Sequence, residues 1–174
     1  MIILMAGLPG TGKSTLARVS AAQSEGVVLD KDEIRSVLFA PRFVEYSAEQ
    51  DDFCQSVMFE TVGYLLGRHP ELRIFIDGRT FSRAYQFQNA LAAARRLSTP
   101  VRVIECICAE ETARERLEAA QDTHLAKNRT YELYRRLKAE FEPIPEPKLV
   151  IDTDAGLEEC AAVAGAYVRG SWAR

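Results

Sequence analysis

The sequence predicts an α/β fold in which helices cover both faces of a parallel β-sheet. Two features carry this prediction. Short apolar segments alternate along the chain with longer segments of helical periodicity, which is the pattern of parallel strands joined by crossover helices. The first apolar segment, residues 2–6, also runs directly into a glycine-rich loop and a helix start. The length of 174 residues suits one domain of this kind, with bounds 1–174.

Strands and helices can be assigned in order from the apolar pattern. The predicted strands are residues 2–6, 26–30, 73–77, 101–107 and 149–151. The predicted helices begin close to residues 13, 30, 47, 82, 110, 130 and 157. Ser47, Ser82 and Thr130 are expected to cap three of these helices, because a hydroxyl there accepts a free N–H of the first turn. Prolines at 143, 145 and 147 end the sixth helix.

The glycine-rich loop is the most specific motif in the chain. Residues 7–14 read Gly-Leu-Pro-Gly-Thr-Gly-Lys-Ser and match the pattern G-x-x-x-x-G-K-[ST] between a strand and a helix. Such a loop turns backbone N–H groups toward phosphate oxygens, and the helix N-terminus attracts the same anion. Lys13 is expected to reach the β- and γ-phosphates, and Ser14 to bind Mg²⁺. The pattern predicts a nucleoside triphosphate site with these residues: Gly7, Leu8, Pro9, Gly10, Thr11, Gly12, Lys13, Ser14 and Thr15.

Three aspartates follow predicted strands and are candidates for the chemistry of the site. Asp77 ends the third strand, where we expect it to hold Mg²⁺; a carboxylate that only caps or is solvated is the alternative. Asp30 and Asp32 follow the second strand, and either could accept the proton of an attacking hydroxyl. Asp30 also has capping-box spacing to Glu33, so Asp32 is the preferred base.

Four arginines are candidate substrate or phosphate contacts. Arg35 lies on the same helical face as Asp32 and is expected either to bind an anionic substrate or to form only a surface ion pair. Arg79 follows Asp77 closely and is a candidate for substrate contact. Arg116 and Arg129 flank a polar insert around residues 119–130, which suits a lid over a triphosphate. They are expected to stabilise negative charge on the γ-phosphate. The alternative is that they are only solvent-exposed residues on a helix face.

Composition limits the classes of protein to consider. A net charge of −3 and a pI near 5.5 argue against an extended nucleic-acid surface. No apolar run approaches the ~20 residues of a membrane span, and the first residues form a strand rather than a signal peptide. We therefore expect a cytoplasmic protein that does not bind membranes, either a monomer or a weak dimer. All four cysteines are expected to be buried free thiols.

Four segments together resemble the small P-loop kinases. They are GLPGTGKST, LDKDEIR, IFIDG, and an arginine-bearing insert followed by a proline-rich stretch and LVIDT. The pattern is similar to the predicted kinases labelled "AAA domain", which are related to polynucleotide 5′-kinase, zeta toxin and chloramphenicol phosphotransferase. This resemblance implies a three-layer P-loop NTPase fold of the nucleoside kinase-like type. It also implies a five-stranded parallel sheet in the order 2-3-1-4-5, and ATP with Mg²⁺.

The resemblance further implies an ATP-dependent kinase that transfers the γ-phosphate to a hydroxyl. Asp32 matches the position of the base, Arg35 that of a residue that binds the acceptor, and Arg116 and Arg129 match lid arginines loosely. The acceptor is then a small molecule or a nucleic-acid 5′ end. A regulatory P-loop NTPase and a nucleotide-binding module without an acceptor are the alternatives. Residues 36–60 are expected to line the acceptor pocket. Three aromatic residues in this range either contact the acceptor or only pack against the rest of the protein: Phe39, Phe43 and Tyr46.

Overall fold

A parallel sheet forms the centre of the computed structural model, which describes residues 1–120, 126, 128–145 and 147–170. Within these residues the strands are β1 (Ile2–Ala6), β2 (Val27–Asp30), β3 (Ile74–Asp77), β4 (Val101–Ile107) and β5 (Leu149–Asp152). Their order across the sheet is β2-β3-β1-β4-β5, and every neighbouring pair is parallel. The predicted α/β class and strand order are confirmed.

Helices cover both faces of this sheet. The helices are α1 (Lys13–Gln23), α2 (Lys31–Leu38), α3 (Ala48–Leu66), α4 (Ala84–Arg96), α5 (Glu110–Ala119), α6 (Tyr131–Ala139) and α7 (Leu157–Arg169). The central strand β1 is wholly buried, and its alternate side chains serve two cores. Ile2, Leu4 and Ala6 pack in the core under α3 and α4. Ile3 and Met5 pack in the core under α1 and α7.

Side-chain caps fix where several helices begin. The hydroxyl of Ser47 accepts the N–H of Gln50 at the start of α3, and the hydroxyl of Thr130 accepts the N–H of Leu133 at the start of α6. Both caps were predicted and are confirmed. The prediction that Ser82 caps α4 is wrong, because Arg83 holds the cap position and no side chain caps from there. The N–H of Ala84 instead donates to the carboxylate of Glu142 at 2.6 Å.

The sheet brings two predicted site residues to one edge. Asp30 and Asp77 are the last residues of β2 and β3, and they are register partners across that strand pair. The phosphate loop follows β1, which lies on the other side of β3. In parallel strands these carboxyl ends share one edge of the sheet, so both carboxylates face the region in front of the loop.

The sixth helix contributes both to a cavity and to the packing against α5. Leu133 and Leu137 are partly buried and line a cavity at the sheet edge. Tyr134 is the buried side chain of α6, and it packs against Ala113 and Leu117 of α5. No helix among the described residues is both long and apolar enough to span a bilayer.

Candidate active site

The glycines of the phosphate loop allow a backbone path that other residues could not follow. Gly7 has φ +126°, and a Cβ there would lie 2.2 Å from the carbonyl oxygen of Cys106. Gly10 has φ +82°, and a Cβ there would lie 2.7 Å from the carbonyl oxygen of Ala113. Gly12 precedes α1, and no side chain caps this helix. The N–H groups at the start of α1 are therefore free of a competing cap and suit an anion.

Lys13 is held close to the phosphate loop. Its side chain is buried, and Nζ donates to the carbonyl oxygen of Leu8 at 2.7 Å. The pKa of Lys13 is lowered to about 8, chiefly by burial and secondly by the charge of Arg129, while Asp77 acts in the opposite direction. A buried cation with one backbone partner is well placed to exchange that partner for phosphate oxygens.

Asp77 has the features expected of a carboxylate that binds a cation. The residue is 1% exposed, and neither carboxylate oxygen has a hydrogen-bond partner within the described part of the chain. Asp77 and Ser14 line the same cavity as Lys13. A buried unpartnered carboxylate is costly unless something pairs with it. The oxygen donors of Ser14 and Asp77 therefore fit Mg²⁺, with nucleotide oxygens completing its shell.

Asp77→Asn is expected to reduce the gain in nucleotide affinity that Mg²⁺ provides by about 10- to 100-fold. The reason is that the amide removes the anionic oxygen donor while keeping the size of the side chain. The measurement is the affinity for AMPPNP at increasing Mg²⁺. Asp152→Asn is a matched control, since Asp152 also ends a strand but serves as a cap. An unchanged Mg²⁺ dependence in Asp77→Asn would show that Asp77 does not hold the metal.

The structure distinguishes the two aspartates that follow β2. Asp30 is the N-cap of α2: its carboxylate accepts the N–H of Asp32 at 2.8 Å and that of Glu33 at 3.4 Å. The pKa of Asp30 is raised to about 6, chiefly by burial and secondly by the negative charge of Asp77. Asp32 makes no cap, and its side chain lines the cavity in front of the phosphate loop. This arrangement favours Asp32 over Asp30 as the base.

The raised pKa of Asp30 gives a pH dependence of stability. An unfolded aspartate titrates near pH 3.9, so the folded chain holds this proton more tightly. The free energy of unfolding should therefore fall as pH rises from about 4 to about 6, and then level off. Asp30→Asn keeps the cap and should remove about 2 kcal/mol of this fall, measured by urea unfolding across that range. Equal pH dependence in both proteins would contradict the prediction.

Arg35 belongs to a buried network rather than a surface ion pair. It is 2% exposed, Nη1 lies 2.5 Å from Oδ1 of Asp32, and Nη2 contacts Asp51 of α3. Lys31 joins the same two carboxylates, with Nζ 2.7 Å from Asp51 and 3.5 Å from Asp32. Burial lowers the pKa of Lys31 to about 8. Two cations and two carboxylates therefore form one network, and all four side chains line the cavity.

Arg79 is also anchored on the cavity wall. Its Nη1 donates to Gln55 at 2.5 Å, and its Nη2 lies 2.6 Å from the carboxylate of Asp52. Both partners belong to α3, which is far from Arg79 in sequence. Of the aromatic residues expected to contact an acceptor, Tyr46 lines the cavity. Phe43 is more than half exposed, and Phe39 packs edge to face on Phe53, so neither lies among the lining residues.

The two predicted lid arginines share one cavity, but only Arg129 also lines the cavity that contains Lys13. Arg129 lines the same cavity as Lys13. Burial lowers the pKa of Arg129, and Asp77, Asp32 and Asp30 act in the opposite direction, so it is close to all three carboxylates. Arg116 donates to Oγ1 of Thr153 at 2.8 Å and lines a neighbouring cavity of about 370 Å³, which Arg129 and Asp32 line as well. Residues 121–125 and 127 of the predicted lid lie outside the described residues.

The cavity in front of the loop gathers most of the predicted site. Its volume is about 230 Å³, and it lies between the phosphate loop, α2, the segment after β3, and α6. The predicted residues that line it are Pro9, Lys13, Ser14, Asp32, Arg35, Asp77, Arg79 and Arg129. Lys31, Asp51 and Arg136 also line it, although no sequence motif indicated a role for them. The adjacent acids Asp51 and Asp52 near the start of α3 were an available signal for Asp51.

The sheet order, the loop and the cavity define an α/β protein of the P-loop NTPase type with a kinase-like fold. Residues 2–144 match the family described as "AAA domain", and the chain belongs to that family. No curated protein matches the sequence. The more specific relationship to polynucleotide 5′-kinase, zeta toxin and chloramphenicol phosphotransferase remains a prediction.

Solved structures show the same fold over nearly the whole chain. Kti12 from Chaetomium thermophilum, in complex with ADP-AlF3, is 21% identical with a TM-score of 0.74, covering 100% of both chains. The APS kinase CysC of Mycobacterium tuberculosis, in complex with AMPPNP and APS, is 14% identical with a TM-score of 0.68, covering 97% of both chains. A gluconokinase from Sinorhizobium meliloti 1021 is 12% identical with a TM-score of 0.67, covering 96% of this chain and 91% of its own.

Proposed function

We propose that this protein is an ATP-dependent kinase that transfers the γ-phosphate of ATP to a hydroxyl group. The observation that carries the proposal is the shared cavity of Lys13, Asp32, Asp77 and Arg129. A nucleotide-binding module needs the phosphate loop alone. Here a carboxylate suited to act as a base lines the same cavity as the loop residues, and further polar side chains line it too. The kinase names of several proteins with this fold are consistent with the proposal.

Each residue then has a defined part in the transfer. The N–H groups of the loop and Nζ of Lys13 bind the β- and γ-phosphates, and Arg129 stabilises the negative charge of the transferring group. Ser14 and Asp77 would hold Mg²⁺, which would neutralise phosphate charge. Asp32 accepts the proton of the acceptor hydroxyl as its oxygen attacks phosphorus and the bond to ADP breaks.

The role that we propose for Arg116 is not the stabilisation of the γ-phosphate that the sequence predicts. It bonds to Thr153, which follows β5, and its Nη1 lies 3.4 Å from the carbonyl oxygen of Gly10 on the loop. This position lies beside the loop, in the cavity next to the one that holds Asp77. We propose that Arg116 holds the loop against the residues after β5, while Arg129 is the arginine at the transferring phosphate.

The test of the function is acceptor-dependent turnover of ATP. The protein with ATP and Mg²⁺ is incubated with small hydroxyl compounds and with 5′-hydroxyl oligonucleotides, and ADP release is measured together with the phosphorylated product. A kinase forms one phosphorylated acceptor for each ADP released. ADP release that no acceptor stimulates, with phosphate as the only product, would instead indicate an NTPase.

A further inference from the structure

We propose that the acceptor carries a negatively charged group besides its hydroxyl, and that a basic wall of the cavity binds this group. The inference rests on the proposed kinase function. The basic wall consists of four cationic residues outside the phosphate loop that line the cavity: Lys31, Arg35, Arg79 and Arg136. Carboxylate, phosphate and sulfate share the chemistry that such a wall recognises.

The charges around the basic wall do not balance. Lys31 and Arg35 share the carboxylates of Asp32 and Asp51, and Arg79 pairs with Asp52. Among the described residues, these carboxylates leave the wall with one excess cation. The excess grows during the reaction, because the proton taken from the hydroxyl neutralises Asp32. A neutral acceptor would leave this positive charge in a partly enclosed cavity, whereas an anionic acceptor offsets it.

Two buried arginines also hold hydrogen-bond donors that no group of the described residues accepts. Arg35 is 2% exposed and Arg79 is 4% exposed. The terminal nitrogens of both side chains bond to partners on α2 or α3, but Nε of each has no partner within the described residues. The side-chain nitrogen of Gln55, which binds Arg79 through its oxygen, is also without one. Buried donors without a partner are costly, and an anionic ligand beside these guanidinium groups would offset the positive charge that they carry.

Arg136 supplies the excess cation at the helix that closes the cavity. It lines the cavity together with Leu133, which lies about one turn earlier on α6, and Leu137, which is the next residue. Other basic residues in this region have carboxylate partners: Lys138 pairs with Glu110, and Arg83 pairs with Glu140. No carboxylate of the described residues forms an ion pair with Arg136. It is therefore the cation of the wall that is most available to a bound anion.

Arg135 provides a matched control for Arg136. Both are exposed arginines on α6, but Arg135 does not belong to the residues that line the cavity. Neither residue touches the phosphate loop among the contacts that the structure describes. Arg136→Gln and Arg135→Gln should therefore bind AMPPNP with Mg²⁺ as the unchanged protein does.

The experiment compares three compounds with one carbon skeleton. Glycerol, glycerate and glycerol 3-phosphate are titrated by calorimetry into protein whose phosphate loop is filled with AMPPNP and Mg²⁺, with inorganic sulfate as a fourth probe. The two anionic compounds should bind at least about tenfold more tightly than glycerol. Arg136→Gln should weaken them about tenfold, while Arg135→Gln should leave them unchanged. Which of glycerate and glycerol 3-phosphate binds better identifies the anionic group.

Three results would overturn the inference. The first is binding of glycerol as tight as that of its anionic relatives. The second is equal binding by Arg136→Gln and Arg135→Gln. The third is no binding of any anion, sulfate included, up to about 10 mM while AMPPNP still binds. Failure of the kinase function would look different, because anions would bind in the Arg136-dependent way and still yield no phosphorylated product with ATP.

Discussion

Replacing Lys13 by alanine is expected to abolish ATP binding or to reduce ATP turnover by about 10²- to 10³-fold. Lys13 is buried and donates to the carbonyl oxygen of Leu8 inside the phosphate loop. In the triphosphate complex this ammonium group would lie against the β- and γ-phosphates, where negative charge increases during transfer. Alanine removes the positive charge and leaves the backbone N–H groups as the main remaining phosphate ligands.

Two measurements separate the effect of Lys13 from a loss of folding. AMPPNP affinity by calorimetry reports binding, and ADP release reports turnover. Lys138→Ala is a control that removes an exposed lysine from α6. Thermal unfolding of both variants checks that the fold is kept. Wild-type binding together with wild-type turnover in Lys13→Ala would remove the phosphate-loop interpretation on which the proposed function depends.

The parts of the site that depend on local sequence could be predicted. The phosphate loop is a contiguous motif, so its glycines, Lys13 and Ser14 follow from their order alone. Asp77 could be placed because a short apolar strand ends there, and parallel strands bring such ends to one edge. The cap at Asp30 also depends on local spacing. In each case the interacting groups are close in sequence or are tied together by the sheet.

The parts that depend on packing between distant segments could not be predicted. Asp51 lies 16 residues from Arg35, and Gln55 lies 24 residues from Arg79. These contacts depend on how α3 packs against α2 and the segment after β3, and no spacing rule fixes that packing. The cap of α4 could not be predicted for the same reason, since Glu142 lies 58 residues from Ala84. Acceptor walls are built from such contacts, which is why their composition emerged only from the structure.

Asp32→Asn is expected to lower phosphoryl transfer by about 10²- to 10⁴-fold while ATP binding persists. The amide of asparagine keeps the size of the side chain but cannot accept the proton of the hydroxyl at neutral pH. Asp51 remains as an anionic partner of Arg35 and Lys31, so the substitution does not leave these cations without a carboxylate. The loss should therefore appear in kcat rather than in the stability of the fold.

Glu33→Gln is the matched control for this variant. Glu33 is also an acid in the first turn of α2, but it pairs with Arg18 and does not line the cavity. Product formation is measured with an acceptor found by the ADP-release screen, and AMPPNP affinity is measured in parallel. Transfer near the wild-type rate in Asp32→Asn would exclude Asp32 as the base. The remaining features of the cavity would then support nucleotide binding and acceptor positioning, with the proton leaving by a route that does not require this carboxylate.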